Sequence, residues 1–331
     1  MHIFMTGGAG FIGSHLADAF ARSGHTLLVL DDLSTGRLHN IEHLIEAGTV
    51  EFVEGSTTNS SLVDELMARC DRCLHLASAV GVQLVVSRPL ESLLRNVHGA
   101  DNVLNAAAKH SKRVLFTSTS EVYGKNSAGG LVEDADRILG SPFKARWNYG
   151  IAKEVGESLA YGLHRDRGAE TTVVRLFNTV GPRQTGAYGM VLPTLVRQAL
   201  AHEDLTVYGD GTQVRCFAHV SDTIRAIQLV LDDDRALGRV FNVGNTVPLT
   251  IMDLARRVIE RSGSSSAIRM VPYTEAYEDG FEELGRRQPD ITAVRELTGW
   301  EPRCTVEDAI DDVIAYERGR PVAGGDSSLA A

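Results

Sequence analysis

Positive charge, sulfur and long apolar runs are all scarce in this chain. It carries 33 Lys and Arg against 43 Asp and Glu, a formal net charge of −10. That balance argues against nucleic acid or an anionic membrane as a partner. An anionic small ligand would have to be held by local arginines. No apolar run approaches the ~20 residues of a membrane span. The opening "MHIFMTGG" is too short and unflanked for a signal peptide, so the expected compartment is the cytoplasm. There are only four cysteines: Cys70, Cys73, Cys216 and Cys304. Cys70 and Cys73 form a C-x-x-C, but Cys70 ends a helix-like run, "LVDELMARC", and Cys73 opens an apolar one, "CLHLAS". They read as two packed thiols rather than a redox pair. No second C-x-x-C supports zinc, and the 11 histidines lack ligand spacing, so no metal is expected. His75, inside an apolar run, reads as a packed histidine.

What is present is an ordinary globular balance, 43% hydrophobic and 23% charged. A chain of this length predicts one large or two intimate domains. Short apolar runs ("HIFMTG", "TLLVLDD", "VEFVEG", "RCLHLAS", "RVLFTSTS", "TTVVRLFN") alternate with amphipathic stretches such as "FIGSHLADAFARSG" and "VHGADNVLNAAAKH". Strands separated by helices predict an α/β fold with a Rossmann-type, doubly wound parallel sheet. Continuous apolar strands fit a sheet covered on both faces. After residue 178 the pattern loosens into "GPRQTGAYGM", then the helical runs "LPTLVRQALAHE", "TIMDLARRVIERSG" and "VEDAIDDVIAYERG". The expectation is a dinucleotide-binding domain over 1–178, with 216–248 returning to it. A smaller mixed α/β substrate-binding region takes 179–215 and 249–318, and 319–331 form a disordered tail.

The first turn carries the cofactor signal. "MTGGAGFIGSHL" places Gly7, Gly10 and Gly13 in a G-x-x-G-x-x-G spacing between the first strand and the first helix. Glycines there let the backbone approach a pyrophosphate, and the helix N-terminus adds donors and partial positive charge. Phe11 and Ile12 belong to the same turn. Asp31 ends the second strand, where a carboxylate accepts bonds from both adenosine ribose hydroxyls and repels a 2′-phosphate. The expected cofactor is therefore NAD rather than NADP, although Arg37 stands nearby.

Tyr149 and Lys153 are four apart in "NYGIAK", hence on one helix face. A tyrosine acting as a base near neutral pH needs its pKa lowered by ~3 units, about 4 kcal/mol. A lysine ammonium one turn away and a cationic nicotinamide can both contribute. The tyrosinate would take the proton of a sugar hydroxyl while hydride leaves the same carbon.

Together, the glycine turn, "HLAS", the strand end "TSTS", Y-x-x-x-K and "RLFNTVGPR" resemble the extended short-chain dehydrogenase/reductase family, over residues 1 to about 315. The resemblance implies tightly held NAD and a nucleotide-sugar substrate. It implies that Thr119 binds the reacting oxygen and the tyrosine, and that Asn96 and Ala77 serve the cofactor site. In "LTVYGDGTQVRCFAHVSD" it places Arg215 at the diphosphate and Tyr208 near the base, with Asn178 and Arg183 from "FNTVGPR" also on the substrate. Uracil is inferred from the same pattern. It further implies homodimerisation through helices around 90–110 and 147–165. One departure is Ser56, where relatives usually place an adenine-binding aspartate.

A transient ketone at carbon 4 opens three outcomes: epimerisation, loss of water across carbons 5 and 6, or loss of carbon dioxide from a carbon-6 carboxylate. Glu121 bears on the choice. Simple 4-epimerases of this family usually lack a carboxylate there, and dTDP-glucose dehydratases usually carry Asp-Glu where this chain has Ser120-Glu121. "STSEVYG" is similar to UDP-glucuronate decarboxylases, though GDP-mannose dehydratases can share Ser-Glu. "KARWNYGIAK" resembles the oxidative decarboxylase of lipid A modification. "GRRQPDI" resembles the R-R-x-P-D-I of UDP-xylose synthases, which implies that Arg287 lies near the sugar carboxylate. A guanidinium fork suits that task. The expected reaction is NAD-dependent decarboxylation of UDP-glucuronate to UDP-xylose, UDP-4-keto-xylose or both. The catalytic set is Thr119, Glu121, Tyr149, Lys153 and Arg287; Ser120 joins the substrate contacts. The rivals are a UDP-glucuronate 4-epimerase, a nucleotide-sugar 4,6-dehydratase and a non-catalytic NAD-sensing protein.

Overall fold

The structure, a computed structural model, describes residues 1–79, 87–186, 190–276, 282 and 285–319. Apart from Gly319, the expected tail lies outside the described residues. Seven strands build one sheet. They are β1 (His2–Thr6), β2 (Thr26–Asp31), β3 (Val50–Glu54), β4 (Arg72–His75), β5 (Arg113–Thr119), β6 (Thr171–Leu176) and β7 (Val240–Val243). Their spatial order is β7-β6-β5-β4-β1-β2-β3, and every pairing is parallel. The first six are the apolar runs read from the sequence. The short β7 lies in the segment expected to return to the sheet.

The strands are apolar throughout because helices cover both faces. On one face, α1 (Phe11–Arg22) and the helix Val220–Asp232 bury Leu16, Phe20, Ile227 and Val230 against Ile3, Met5, Val29 and Val174. On the other, α2 (Ser60–Ala68), α3 (Pro89–Lys109) and α4 (Asn148–Arg167) bury Leu66, Leu104, Ala160 and Leu163 against Phe4, Leu28, Val114 and Phe116. α3 starts earlier than its periodic run suggests, because Pro89 at its first turn is preset for helix entry.

A third core joins the helices Val191–Leu200, Ile251–Ser262 and Val306–Arg318 through Val196, Leu254, Val258, Ile310 and Ile314. The last helix opens with a capping box between Thr305 and Asp308. Residues 249–318 do not all belong to this second region. Ile291, Val294, Leu297 and Trp300 pack into the core beneath α1. Val294 and Leu297, three apart, share one side of the helix Thr292–Thr298, and Ile291 and Trp300 flank it.

One buried network ties α4 to the sheet. Arg175 of β6 forks onto Glu157 of α4, with Nε–Oε1 at 2.9 Å and Nη2–Oε2 at 2.8 Å. Ser118 Oγ of β5 donates to Glu157 Oε1 at 2.5 Å. Arg175 Nη1 also donates to the Tyr123 hydroxyl at 2.8 Å, and that hydroxyl donates to Asn242 Oδ1 of β7 at 2.8 Å. Breaking such a buried pair strands the remaining charge. Arg175→Met is expected to lower the unfolding free energy by about 3–5 kcal/mol in denaturant titration; a loss no larger than that of a surface substitution would contradict this account.

Candidate functional site

A cavity of about 910 Å³ runs from the C-terminal ends of β1, β2, β4 and β5 into the second region. In open parallel sheets this is where ligands sit, at the point where strand order reverses. β1 is that point, flanked by β2 and β4.

At one end stands the glycine turn. Gly7 has φ +73°, and a Cβ on it would meet Ala77 N at 2.6 Å. A Cβ on Gly13 would meet Gly7 O at 2.2 Å. Only glycine permits this closeness of turn, helix and neighbouring strand end. Gly10 caps α1 without a side-chain bond, and Gly7, Gly10, Phe11, Ile12 and Gly13 all line the cavity. Asp31 is buried beside them. Its Oδ2 accepts from Ala9 N at 3.0 Å and its Oδ1 from Leu33 N at 2.9 Å. Burial pushes its pKa up, partly offset by those two bonds. Asn96 braces the loop after β4: its Oδ1 accepts from Ser78 Oγ at 2.9 Å and from Ala79 N at 2.8 Å. Ser56 lines the same end with Gly55 and Thr57.

At the middle stand the tyrosine and lysine of the Y-x-x-x-K run. Tyr149 and Lys153 both line the cavity from α4. Lys153 Nζ donates to Thr117 O at 2.8 Å. Burial drags its pKa down to about 7, against the pull of Glu157 one turn further along α4. The Tyr149 phenol is pushed well above its ordinary value by burial; its Ser78 bond lowers it, the Glu121 charge raises it further, and its Thr119 bond lowers it. The lysine's amine is directed at a strand carbonyl, and burial outweighs the two hydrogen bonds that lower the phenol's pKa.

Glu121 follows β5 in a short 3-10 turn, Ser120–Tyr123, whose N-cap bond runs from Glu121 N to Thr119 Oγ1. Two arginines hold it. Arg146 Nη1 bonds Oε2, and Arg146 Nη2 reaches Oε1 at 3.1 Å. Arg287 Nη1 donates to Oε1 at 2.6 Å and lies 3.4 Å from Ser120 Oγ. Burial would raise the Glu121 pKa, but Arg146 and Arg287 override it and hold the carboxyl far below the usual range. Gly150 allows the approach of α4, since a Cβ there would lie 2.9 Å from Glu121 O.

The far end draws on the second region. Asn178, Tyr208 and Arg215 line it. Arg215 and Arg287 are register partners on the parallel strands Val214–Arg215 and Arg286–Arg287. Asn178 Nδ2 and Gln213 Oε1 are buried without a hydrogen-bond partner among the described residues, which suits a polar ligand. Arg183 is not among the lining residues: its guanidinium is paired with Asp18 Oδ2 at 2.8 Å.

Sequence reasoning did not single out Arg146, Ser78, Gln213 or Tyr273. Arg146 had a signal, its place three residues before Tyr149. Gln213 sat inside the nucleotide-binding run. Tyr273, which bonds Gln213 across the fold, had none.

Residues 3–244 match the NAD dependent epimerase/dehydratase family. The chain belongs to that family. It is 38% identical over 315 residues to the UDP-N-acetyl-alpha-D-glucosaminuronate decarboxylase of Bacillus cytotoxicus, covering 95% of this chain and 97% of that protein. It is 35% identical to UDP-glucuronic acid decarboxylase 1 of Xenopus tropicalis, covering 96% and 72%. Among solved structures it resembles the UDP-glucuronic acid 4-epimerase of Bacillus cereus in complex with UDP-glucuronic acid and NAD. That likeness has a TM-score of 0.85 at 27% identity, over 96% of this chain and 99% of the other.

The residues present fit the family's NAD. A Cβ on Gly7 or Gly13 would strike the chain's own backbone and push the turn out of place, and the Asp31 carboxylate suits a ribose without a 2′-phosphate. Gly13→Ala is therefore expected to lose NAD from the purified protein, read as the absorbance of released cofactor. Glu157→Gln removes the charge that supports the Lys153 proton. The alkaline limb of the kcat profile should move to lower pH; a limb that stays in place would separate Glu157 from Lys153.

Proposed function

We propose that this protein decarboxylates UDP-glucuronate through a 4-keto intermediate, giving UDP-xylose, UDP-4-keto-xylose or both. The observation that carries this reading is Glu121, ionised between Arg146 and Arg287 in the cavity that Tyr149, Lys153 and Thr119 also line. The two decarboxylase relatives are named for uronates, and the uronate in the first name carries an N-acetyl group.

NAD, when bound, supplies the hydride acceptor and a cationic ring. Tyr149 accepts the proton of the carbon-4 hydroxyl, and Thr119 orients that oxygen. Lys153, in its ammonium form, favours the tyrosinate. Oxidation makes the sugar a β-keto acid. The bond between carbons 5 and 6 then breaks, carbon dioxide leaves, and the electron pair passes into an enolate. Arg287 holds the carboxylate before cleavage. An ionised Glu121 cannot donate a proton itself, so carbon 5 takes its proton from a water that Glu121 orients, and solvent neutralises the hydroxide left behind. Where the hydride returns to carbon 4, Tyr149 gives its proton back to that oxygen and the product is UDP-xylose; where it does not, the product is UDP-4-keto-xylose and the cofactor stays reduced. Asn178, Ser120, Tyr208 and Arg215 hold the nucleotide sugar.

Other parts of the reading rest on less specific support. We assign 1–178 with 216–248 to the NAD-binding lobe, and 179–215 with the third core to the nucleotide-sugar lobe. We assign a homodimer built on α3 and α4, which leave Leu90, Leu94, Val155 and Tyr161 exposed. A cytoplasmic setting suits four free cysteines. Among the described residues no helix is long and apolar enough to cross a membrane.

The test is mass spectrometry of products from the purified protein given UDP-glucuronate and NAD. Release of carbon dioxide and a pentose nucleotide is expected. UDP-galacturonate would make it an epimerase, and NAD binding without turnover a binding protein. Tyr149→Phe should abolish turnover with NAD retained. Glu121→Gln should cut carbon dioxide release at least tenfold, about 1.4 kcal/mol, with NAD content unchanged.

A further inference from the structure

We infer that Asp32 and Arg95 form a clasp across the cofactor crevice, a pair of positioning residues that slows both the entry and the release of NAD. The inference rests on the family's cofactor and not on the uronate reading, and its readout is cofactor exchange rather than turnover.

The sheet order places the two partners on opposite walls. Asp32 follows β2, and Arg95 lies on α3, the helix that comes after β4. β2 and β4 flank β1, and the glycine turn leaves β1 between them. Arg95 Nη1 nevertheless meets Asp32 Oδ2 at 3.2 Å. Both residues line the cavity together with Gly7, Gly10 and Asp31. The ion pair therefore spans the opening that a dinucleotide's pyrophosphate and adenosine ribose would occupy.

Each wall is built for the contact. Asp32 Oδ1 accepts from Ser34 N at 3.0 Å and from Ser34 Oγ at 2.6 Å. Those bonds fix the carboxylate and leave Oδ2 for α3. Asp31, its neighbour, keeps its own oxygens on Ala9 N and Leu33 N. Arg95 stands next to Asn96, which braces the opposite wall. Arg95 Nη2 lies 3.9 Å from Glu91 Oε1, one turn back on α3, and Arg88 lies 3.6 Å from the same carboxylate. The arginine can thus leave Asp32 with a second acceptor at hand, as an opening clasp requires. The stretch 80–86, outside the described residues, has no ionisable side chain to add. The Arg95 and Asp32 side chains are 36% and 28% exposed. The pair is therefore open to screening by salt, and a pair so exposed contributes little to folding.

The test follows radiolabelled NAD leaving the holoprotein in an excess of unlabelled NAD, with Kd from equilibrium dialysis. Arg95→Gln and Asp32→Asn should each speed release about three- to fivefold. Kd should stay within about twofold of the native value, because a clasp hinders both directions alike. The double variant should be no faster than the singles. Raising salt from about 20 to about 500 mM should speed release from the native protein about threefold and hardly change the variants. Arg95→Lys, which keeps the charge, should stay near native. If Arg95 served the cofactor's phosphates directly, Asp32→Asn would free it and slow release, and Arg95→Gln would raise Kd in step with the release rate. Either result overturns the inference. So does a double variant whose acceleration is the product of the singles, unchanged release in both singles, or an Arg95→Lys as fast as Arg95→Gln. Should a variant fail to fold, native release still decides, since a rate independent of salt overturns the clasp. None of these outcomes depends on which nucleotide sugar the protein turns over, so failure of the uronate reading would leave them intact.

Discussion

Glu157 is a carboxylate buried where α4 meets β5 and β6, and the positions of Lys153 and Tyr149 follow from how it is bound. Ser118 and Arg175 both bond it. One turn back along the same helix, Lys153 bonds the carbonyl of Thr117. These contacts set the rotation and height of α4 against the end of β5. Tyr149, another turn back, therefore meets Thr119 and Ser78. A charge this deep is tolerable only when fully bonded. The same demand that satisfies the carboxylate aligns the helix.

The site is a sequence of charge problems solved by neighbours. Lys153 is buried enough to threaten its proton, and Glu157 opposes the loss. Glu121 is buried as well, and two arginines keep it ionised. Each solution joins elements remote in sequence: Arg146 precedes α4, Glu121 follows β5, and Arg287 comes from a strand beside Arg215. That strand delivers one arm of the carboxylate cluster.

Much of this was legible before any coordinates. Six strands could be read because strands covered on both faces stay apolar from end to end. Val240–Val243 was harder, since four residues make too short a run to distinguish from a helix segment. The Tyr149–Lys153 pairing was readable because helical period alone puts i and i+4 on one face. Arg183 stood in the same run, but while Asn178 and Thr179 line the cavity, at φ +67° the chain turns the Arg183 guanidinium towards Asp18. Arg146 was passed over because an arginine before a helix is ordinarily solvated; only its enclosure makes it a partner for Glu121.

By itself the sequence determined the alternation of strand and helix, the glycine turn before α1, and the residues that share a helix face. These depend on local period and local sterics, which are properties of neighbouring residues. The tertiary structure alone decided which arginines meet Glu121, that Lys153 faces a carbonyl, and that Arg183 pairs with Asp18. Those outcomes depend on distances between segments far apart in the chain, and on the loss of water that turns a nearby charge into a controlling one.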